Sequence, residues 1–357
     1  MKQTKSALKD MFILGIDTSC DETSAAVVKN TSVLSNIVSS QIELHSQFGG
    51  VVPMIAKREH QARIDPVITE ALKRAQVTMD ELDAIAVTYG PGLAIALEVG
   101  LAKARELATK FNKKFIAVNH MEGHLWSGIA MNSKGKGGML LNKIEFPLLG
   151  ILISGGHTEL VKVTGFGKYE IIGETLDDAM GEAYDKTARM LGLGYPGGAV
   201  LSEMAKSGNP LAYDFPTPME KSPNLNMSYS GLKTAVYYLV KSIEKENGHL
   251  SKQQVLDISA SFERVAINAL TLKIKKALTL NQYKMVLVGG GVSASSKVRS
   301  EIRRTCQNFG LKTYFPEVNR INMDNGAMIG IAGYLKALRG EFSDLNIDRD
   351  PRADLGR

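Results

Sequence analysis

Cysteine is nearly absent from this chain: Cys20 and Cys306 are the only two among 357 residues. They make no CxxC pair and no disulfide framework, which fits a reducing compartment and predicts a cytoplasmic protein. No apolar run reaches 18 residues, which argues against a membrane span. The first ten residues carry Lys2, Lys5 and Lys9 but no apolar core, cleavage site or Arg. They read as a frayed basic tail and not as a leader. What is present is a globular composition, 44% hydrophobic and 22% charged, over a length that suggests two domains. The net charge of +6 suits a polyanionic partner. Glycine is plentiful at 34 residues, and much of it sits in short clusters that carry the functional signal.

Phe12–Ile16 is a short apolar run. A polar stretch follows from Asp17 to Ser24, and then Ala25–Val28, which predicts strand, tight turn, strand. Leu148–Ile153, Ser154–Thr158 and Leu160–Val163 repeat that pattern. At an offset of 135 residues Gly15 aligns with Gly150, Ile16 with Ile151, Ser19 with Ser154, Thr23 with Thr158 and Val28 with Val163. A duplicated lobe, each copy opening with a hairpin, is the economical reading. Helices are expected at Pro53–Arg74, Leu93–Phe111, Asp178–Leu191, Gln253–Ala277 and Asn325–Leu338, and further strands at Asp83–Thr88, Lys114–Val118 and Met285–Val288. The Gly- and Lys-rich stretch from Asn132 to Asn142 marks the boundary. The expected organisation is a first lobe over 11–135, completed by the helix 325–338, a second lobe over 146–324, and loosely ordered tails at 1–10 and 340–357.

His120-Met-Glu-Gly-His124 puts two imidazoles at i and i+4, which share one face of a helix at a spacing that suits a divalent metal. Two unrelated surface or core histidines would give the same spacing. Met121 stands where the zincin motif H-E-x-x-H has its general base, and Glu122 lies about 200° round a helix from His120. Both points disfavour protease chemistry. Asp324, in Asn322-Met-Asp-Asn-Gly-Ala327, is the candidate third ligand, with a helix N-cap as its alternative. Two His and one Asp would suit Zn²⁺ or Fe²⁺.

Ser154-Gly155-Gly156-His157 falls in a predicted hairpin turn, where glycines let backbone N–H groups approach an anion. A plain tight turn is the alternative. Gly289-Gly-Gly-Val-Ser293 follows a strand and fits approach to an adenine or a phosphate. Neither cluster is a dinucleotide fingerprint or a P-loop. Asp178, Glu182 and Asp185 fall on one helical stripe that Arg189 continues. They form either a solvated acidic face or acceptors for the hydroxyls of a ribose or an acyl group. Tyr195-Pro-Gly-Gly198 is a tight turn that lets a ligand near the backbone.

These pieces together resemble the universal tRNA threonylcarbamoyl-adenosine transferases, in particular the bacterial and organellar branch. The resemblance rests on Gly15–Thr23, Asn119–His124, Ser154–Thr158, Asp177–Gly198, Ser228–Thr234, Gly289–Ser293 and Asp324–Ala327, in that order along residues 15 to 327. It implies an α/β fold of two related lobes, the actin-like ATPase, sugar-kinase and heat-shock-ATPase (RNase H-like) fold, with the active site in the interlobe cleft. It implies His120, His124 and Asp324 as ligands of one divalent ion, Fe²⁺ or Zn²⁺, and substrate contacts at Leu152, Ile153, Ser154, Gly155, Gly156, Asp185 and Gly198. Ser295 stands where the family usually has Asn, which keeps a donor and an acceptor on a shorter side chain. Asp348–Arg352 only loosely matches the family's basic, Pro-containing ending.

The implied reaction moves a threonylcarbamoyl group from threonylcarbamoyl-AMP to the N6 amine of adenosine 37 in tRNAs reading ANN codons, releasing AMP. ATP is a further candidate nucleotide. Asp21 and His157 are the candidates for taking the amine proton, and the sequence leaves the choice open. The implied partners are tRNA, plus an inactive paralogue and a small ATPase in bacterial members or a second copy in organellar ones, with no membrane. Lys134, Lys136 and Lys143 are candidate tRNA contacts, with a merely exposed loop as their alternative. A small-molecule kinase or ATPase of the same fold is the first rival reading. The His pair speaks against it, because such kinases hold Mg²⁺ through carboxylates and water. A metalloprotease and a nucleotide-gated scaffold without turnover are more distant rivals.

Overall fold

The computed structural model describes residues 10–317 and 321–356, so the expected N-terminal tail lies almost wholly outside the described residues. The strands are β1 (Phe12–Asp17), β2 (Glu22–Lys29), β3 (Ser32–Ser40), β4 (Ala84–Gly90), β5 (Lys114–Asn119), β6 (Leu148–Ile153), β7 (Thr158–Gly165), β8 (Lys168–Glu174), β9 (Met285–Gly289) and β10 (Thr313–Tyr314). The helices are α1 (Ile42–Ser46), α2 (Pro53–Ala75), α3 (Ala94–Lys110), α4 (His120–Trp126), α5 (Met180–Met190), α6 (Gly198–Ala205), α7 (Ser230–Asn247), α8 (Lys252–Leu280), α9 (Ser296–Gln307) and α10 (Gly326–Leu338). Four of the helices, α1, α6, α7 and α9, are additional to those expected from the sequence, and α4 is the short helix that carries the His pair. Tertiary contacts divide the chain into two units. The first holds Met1–Ser40, Pro53–Met139 and Asp324–Asp354, and the second Gln41–Val52, Leu140–Met323 and Leu355–Arg357.

The first unit is built on a five-stranded sheet in the order β3-β2-β1-β4-β5. β1 and β2 are antiparallel, whereas β4 and β5 run parallel to β1. β1 is buried on both faces beyond its first residue, which explains its near-continuous apolar run. Leu14, Ile16, Ala25 and Val27 pack into one core with Ile64 and Ile68 of α2 and with Leu101 and Ala104 of α3. α10 lies directly against β1. Glycine is required here, because a Cβ on Gly15 would collide with Gly326 O and Gly330 N. The close approach fixes where the start of α10, and hence Asp324, is delivered.

The second unit has the sheet order β8-β7-β6-β9-β10. β6 and β7 are antiparallel and β9 runs parallel to β6, as β4 does to β1. The 135-residue offset holds in the register itself: Gly15↔Ala26 maps onto Gly150↔Val161, and Asp17↔Ser24 onto Leu152↔Glu159. The two hairpins are therefore the same structural unit. The core of the second unit gathers Ile151, Ile153, Tyr184, Tyr229, Phe262 and Val288. Within α7, Leu232, Val236, Val240 and Ile243 supply a buried stripe at helical spacing.

The segment after residue 340 differs from the loosely ordered tail expected for it. The Ser343 N–H donates to Phe115 O at 2.8 Å, and Ser343 Oγ accepts from the Ala117 N–H at 2.9 Å. Further along, the Asp350 N–H donates to Tyr89 O at 2.8 Å. These are backbone-centred bonds to the rims of β4 and β5, and they need no apolar periodicity. Among the described residues no helix is long and apolar enough to cross a membrane.

Candidate active site

α4 is seven residues long and starts at a side-chain cap. Asn119 Oδ1 accepts from the Met121 N–H at 2.8 Å. On this short helix His120 and His124 share a face, with ring centroids 4.6 Å apart and ring planes at 82°. Met121 turns into the core. Glu122 points toward Arg339, 3.8 Å away, as its position round the helix predicts. The carboxylate of a zincin-type base is therefore missing from the histidine face.

Asp324 arrives from the start of α10. The N-cap of that helix is Asn325, which accepts from the Met328 N–H at 3.1 Å, so Asp324 is released from the capping role. The Gly326 N–H donates to Ser24 Oγ at 2.8 Å and holds the turn against β2. Asp324 Oδ1 then lies 3.4 Å from His120 Nε2 and 3.2 Å from His124 Nε2. Ligand atoms at about 2.0–2.1 Å from one ion stand about 2.8–3.0 Å apart in an octahedral array and about 3.3–3.4 Å apart in a tetrahedral one, so these spacings fit a shared ion. Both His124 ring nitrogens are buried without a hydrogen-bond partner. Orphaned buried nitrogens facing a carboxylate are what a coordination site leaves behind when only the protein is considered. His120, His124 and Asp324 form a divalent-metal-binding triad, with their ligand atoms all within 4.8 Å of one another.

Asp17, at the end of β1, supports the triad, and the sequence reading gave it no role. Its Oδ1 accepts from Thr88 Oγ1 at 2.6 Å and its Oδ2 from Ser19 Oγ at 3.2 Å. His120 Nδ1 stands 3.5 Å from Asp17 Oδ1, on the side of the ring away from Asp324. A carboxylate on that side of the ring favours a hydrogen on Nδ1, which would leave the Nε2 lone pair facing Asp324 free for a metal. The signal was an Asp closing an apolar strand, inside a motif already singled out.

The electrostatics follow from burial against these carboxylates. Burial alone would lower His120, but Asp324 and Asp17 reverse it and push the imidazole up to about 10. His124 stays below its ordinary value, because burial and the neighbouring His120 outweigh the pull of Asp324. Burial would raise Asp324, yet the two imidazoles hold it well below the usual carboxylate range. The charge of Asp324 thus favours a cation between the two imidazoles, and a divalent ion would supply it.

Asp21 lies in the β1–β2 turn. Burial pushes the adjacent Glu22 up to about 10, reinforced by the charges of Asp21 and Asp324. The turn is clamped from α2 by His60, whose Nε2 lies 3.0 Å from Cys20 O and whose Nδ1 lies 2.8 Å from Thr23 Oγ1. A carbonyl can only accept, so Nε2 carries the hydrogen and Nδ1 accepts from Thr23.

The remaining candidates belong to the second unit. Leu152 and Ile153 are the last two residues of β6, both buried, and Ile153 packs into the core. Ser154–His157 form the β6–β7 loop, where the Ser154 N–H donates to His157 O at 2.9 Å and the His157 N–H to Ser154 Oγ at 3.1 Å. Gly155 and Gly156 are exposed, and a Cβ on either would meet nothing within 4 Å. The fold itself does not demand these two glycines. A Cβ on Gly181 would stand 2.6 Å from Ser154 O, 2.9 Å from Gly155 Cα and 3.0 Å from Val292. That glycine lets the loop and the Gly291–Ala294 turn meet at the start of α5.

The expected acidic stripe is divided. Asp178 precedes α5 and is paired with Lys186 at 2.7 Å and Lys233 at 2.5 Å. Lys186 also takes Glu182 at 2.7 Å, and Arg189 donates instead to Gly49 O at 3.3 Å. Asp185 Oδ1 accepts from the Gly197 and Gly198 N–H groups at 3.0 and 2.7 Å, which caps α6. Asp185 and Gly198 are thus brought together. Ser295 caps α9 by accepting from the Val298 N–H at 3.4 Å, and it stands 3.4 Å from Ser202, which donates to the buried Glu263.

A family model described as TsaD, tRNA N6-adenosine threonylcarbamoyltransferase, matches residues 32–331. A protein of Clostridium perfringens (strain SM101 / Type A) named tRNA N6-adenosine threonylcarbamoyltransferase is 44% identical over 346 residues, covering 97% of this chain and 98% of that one. Among solved structures, T. kodakarensis HypF gives a TM-score of 0.60 at 16% identity, covering 93% of this chain and 48% of HypF. Component A of the (R)-2-hydroxyglutaryl-CoA dehydratase of Acidaminococcus fermentans gives 0.53 at 14% identity, covering 92% and 99%. At these identities the structural likenesses speak for fold alone. The fold is the duplicated α/β fold of actin-like ATPases, sugar kinases and heat-shock ATPases.

Proposed function

Because the chain belongs to the tRNA N6-adenosine threonylcarbamoyltransferase family, we propose that its metal triad and its two hairpin turns divide the work of the transfer between them. The protein is an acyltransferase that places a threonylcarbamoyl group on adenosine 37 of tRNA. The donor in this proposal is threonylcarbamoyl-AMP. The observation that carries the reading is the pair of buried imidazoles with one Asp324 oxygen set 3.2–3.4 Å from both.

The N6 amine attacks the carbamoyl carbonyl carbon. A C–N bond forms, the bond from that carbon to the phosphate oxygen breaks, and AMP leaves. The amine is a poor nucleophile because its lone pair is delocalised into the ring, so orientation and charge stabilisation carry the rate. A divalent ion held by His120, His124 and Asp324 would supply Lewis-acid stabilisation of anionic oxygens on the donor. The N–H groups of Gly155 and Gly156 suit an oxyanion. Asp21 and His157 are the two candidates for accepting the amine proton. Asp185, Gly198 and Ser295 remain proposed donor contacts, supported by their common placement in the second unit. The cytoplasm is the proposed compartment, supported by two cysteines that are both free.

The test supplies threonine, bicarbonate, ATP, a threonylcarbamoyl-adenylate synthase and an unmodified ANN-decoding tRNA transcript. Arms with and without an inactive paralogue and a small ATPase decide whether helpers are needed. Mass spectrometry of the digested tRNA should show threonylcarbamoyl-adenosine. Asp324→Ala or His124→Ala should lower its formation by at least about 100-fold, together with bound metal. Product at the wild-type rate in both variants would remove the triad from the reaction. Phosphate release without tRNA and with no modified nucleoside would favour the kinase reading.

A further inference from the structure

The C-terminal segment of the first unit reaches the metal-bearing helix through Asn119. Asn119 ends β5 and caps α4, its Oδ1 accepting from the Met121 and Glu122 N–H groups at 2.8 and 3.4 Å. Its Nδ2 donates to Ala353 O at 3.2 Å and Asp354 O at 3.3 Å. Both ends of a side chain only 5% exposed are therefore committed. The segment they hold is fastened along its length by Ser343 to β5, by Asp350 to Tyr89, and by the Gly92 N–H, which donates to Pro351 O at 3.2 Å. Gly90, the β4 neighbour of Asn119, has no room for a Cβ because Asp350 O lies over it.

α4 has seven residues, too few to hold its own geometry, and the ligand His120 is its first. The direction of that imidazole therefore depends on how Asn119 is held. An amide gripped at both ends has one rotamer, and a ligand set needs its supports placed to within about 0.5 Å.

We propose that Asn119 is a positioning residue for the metal centre, tying residues 343–354 to the cap of α4 so that the C-terminal segment braces the histidine pair. The proposal rests on the triad's holding a divalent ion. Asn119→Asp keeps the capping acceptor but loses the donor and sets a carboxylate against two carbonyl oxygens. Its added negative charge would by itself tighten cation binding, so a loss of affinity would come from the broken tie. Ala353→Arg dislodges the same tie from the far side and leaves α4 untouched.

Zn²⁺ affinity of the full chain is measured by competition with a chromophoric chelator, alongside steady-state kinetics. Each variant is expected to lose about 10- to 100-fold in Zn²⁺ affinity. kcat should fall while KM for tRNA holds. The double variant should be no worse than the weaker single, because both break one tie. A merely structural role would lower the melting temperature of the metal-free protein and leave the affinity of the folded fraction alone. Affinities within twofold of wild type in a folded Asn119→Asp protein, or losses that multiply in the double variant, would overturn the brace. If Ala353→Arg fails to fold, the Asn119→Asp affinity decides. A wild-type chain that binds no Zn²⁺ would overturn the triad instead, a separate result.

Discussion

His60 shows how a residue outside every motif can govern one inside. It sits on α2, fully buried, and clamps the β1–β2 turn through Cys20 O and Thr23 Oγ1. Burial holds its imidazole below the ordinary value of 6.5. The folded state therefore disfavours the protonated ring. This contribution to stability is present above pH 6.5 and is lost as pH falls from there through the folded-state value. His60→Gln keeps a donor toward Cys20 O but places no acceptor where Nδ1 faces Thr23. It should cost about 1–3 kcal/mol near pH 7.5 and flatten the pH dependence below 6.5, as read by thermal melts from pH 5 to 8. Parallel pH profiles for variant and wild type would show that the ring does not titrate as argued. Single residues were legible in the sequence when their chemistry was local. His120 and His124 announce themselves by spacing, and Met121 excludes the zincin base. Asp17 and His60 were not legible, because each acts on a partner from another element. The choice between ligand and N-cap for Asp324 was likewise open until Asn325 was seen to take the cap.

Elements were more legible than residues, for a reason visible in the paired hairpins. An apolar run, a polar turn and a second run specify strand–turn–strand locally, and the shared offset carries into the shared register of β1–β2 and β6–β7. The acidic stripe was misleading, because helical spacing was counted through Asp178, which lies before α5. α7 was available in the sequence through its apolar spacing, although a Ser- and Gly-containing motif overlies its start. The β6–β7 loop offers a test of function at this scale. Gly156 has no neighbour within 4 Å of a built Cβ, and its φ lies outside the left-handed region. Gly156→Ala should therefore leave the fold intact and stabilise it by about 0.4–1 kcal/mol through the unfolded chain. If the backbone N–H groups of this loop meet the donor closely, the same methyl should lower kcat/KM for transfer at least about tenfold. A stabilised enzyme with unchanged kcat/KM would take the loop out of the site.

At the scale of the molecule the sequence yields a charge sum but not its placement. The net +6 supports a polyanionic partner only if some of the excess meets phosphate. Lys134 and Lys136 are both exposed, and their loop is held in shape by Asn132, whose Oδ1 accepts from their N–H groups at 2.9 and 3.0 Å. A basic loop built this way presents its charges without a large ordering cost on binding. Each phosphate neutralised adds about 0.7–0.9 to the slope of log affinity against log salt. With about three contacts, tRNA affinity should fall on the order of 40-fold between 50 and 200 mM salt. Lys134→Ala with Lys136→Ala should weaken binding of all substrate tRNAs alike and reduce the slope by about 1.4–1.8 if both lysines touch the backbone. Filter binding across a salt series reads both numbers. A flat salt series would mean that tRNA is held by shape and base contacts. An unchanged slope in the double variant would leave this loop as an exposed turn and move the search for the phosphate track to other basic surfaces of the chain.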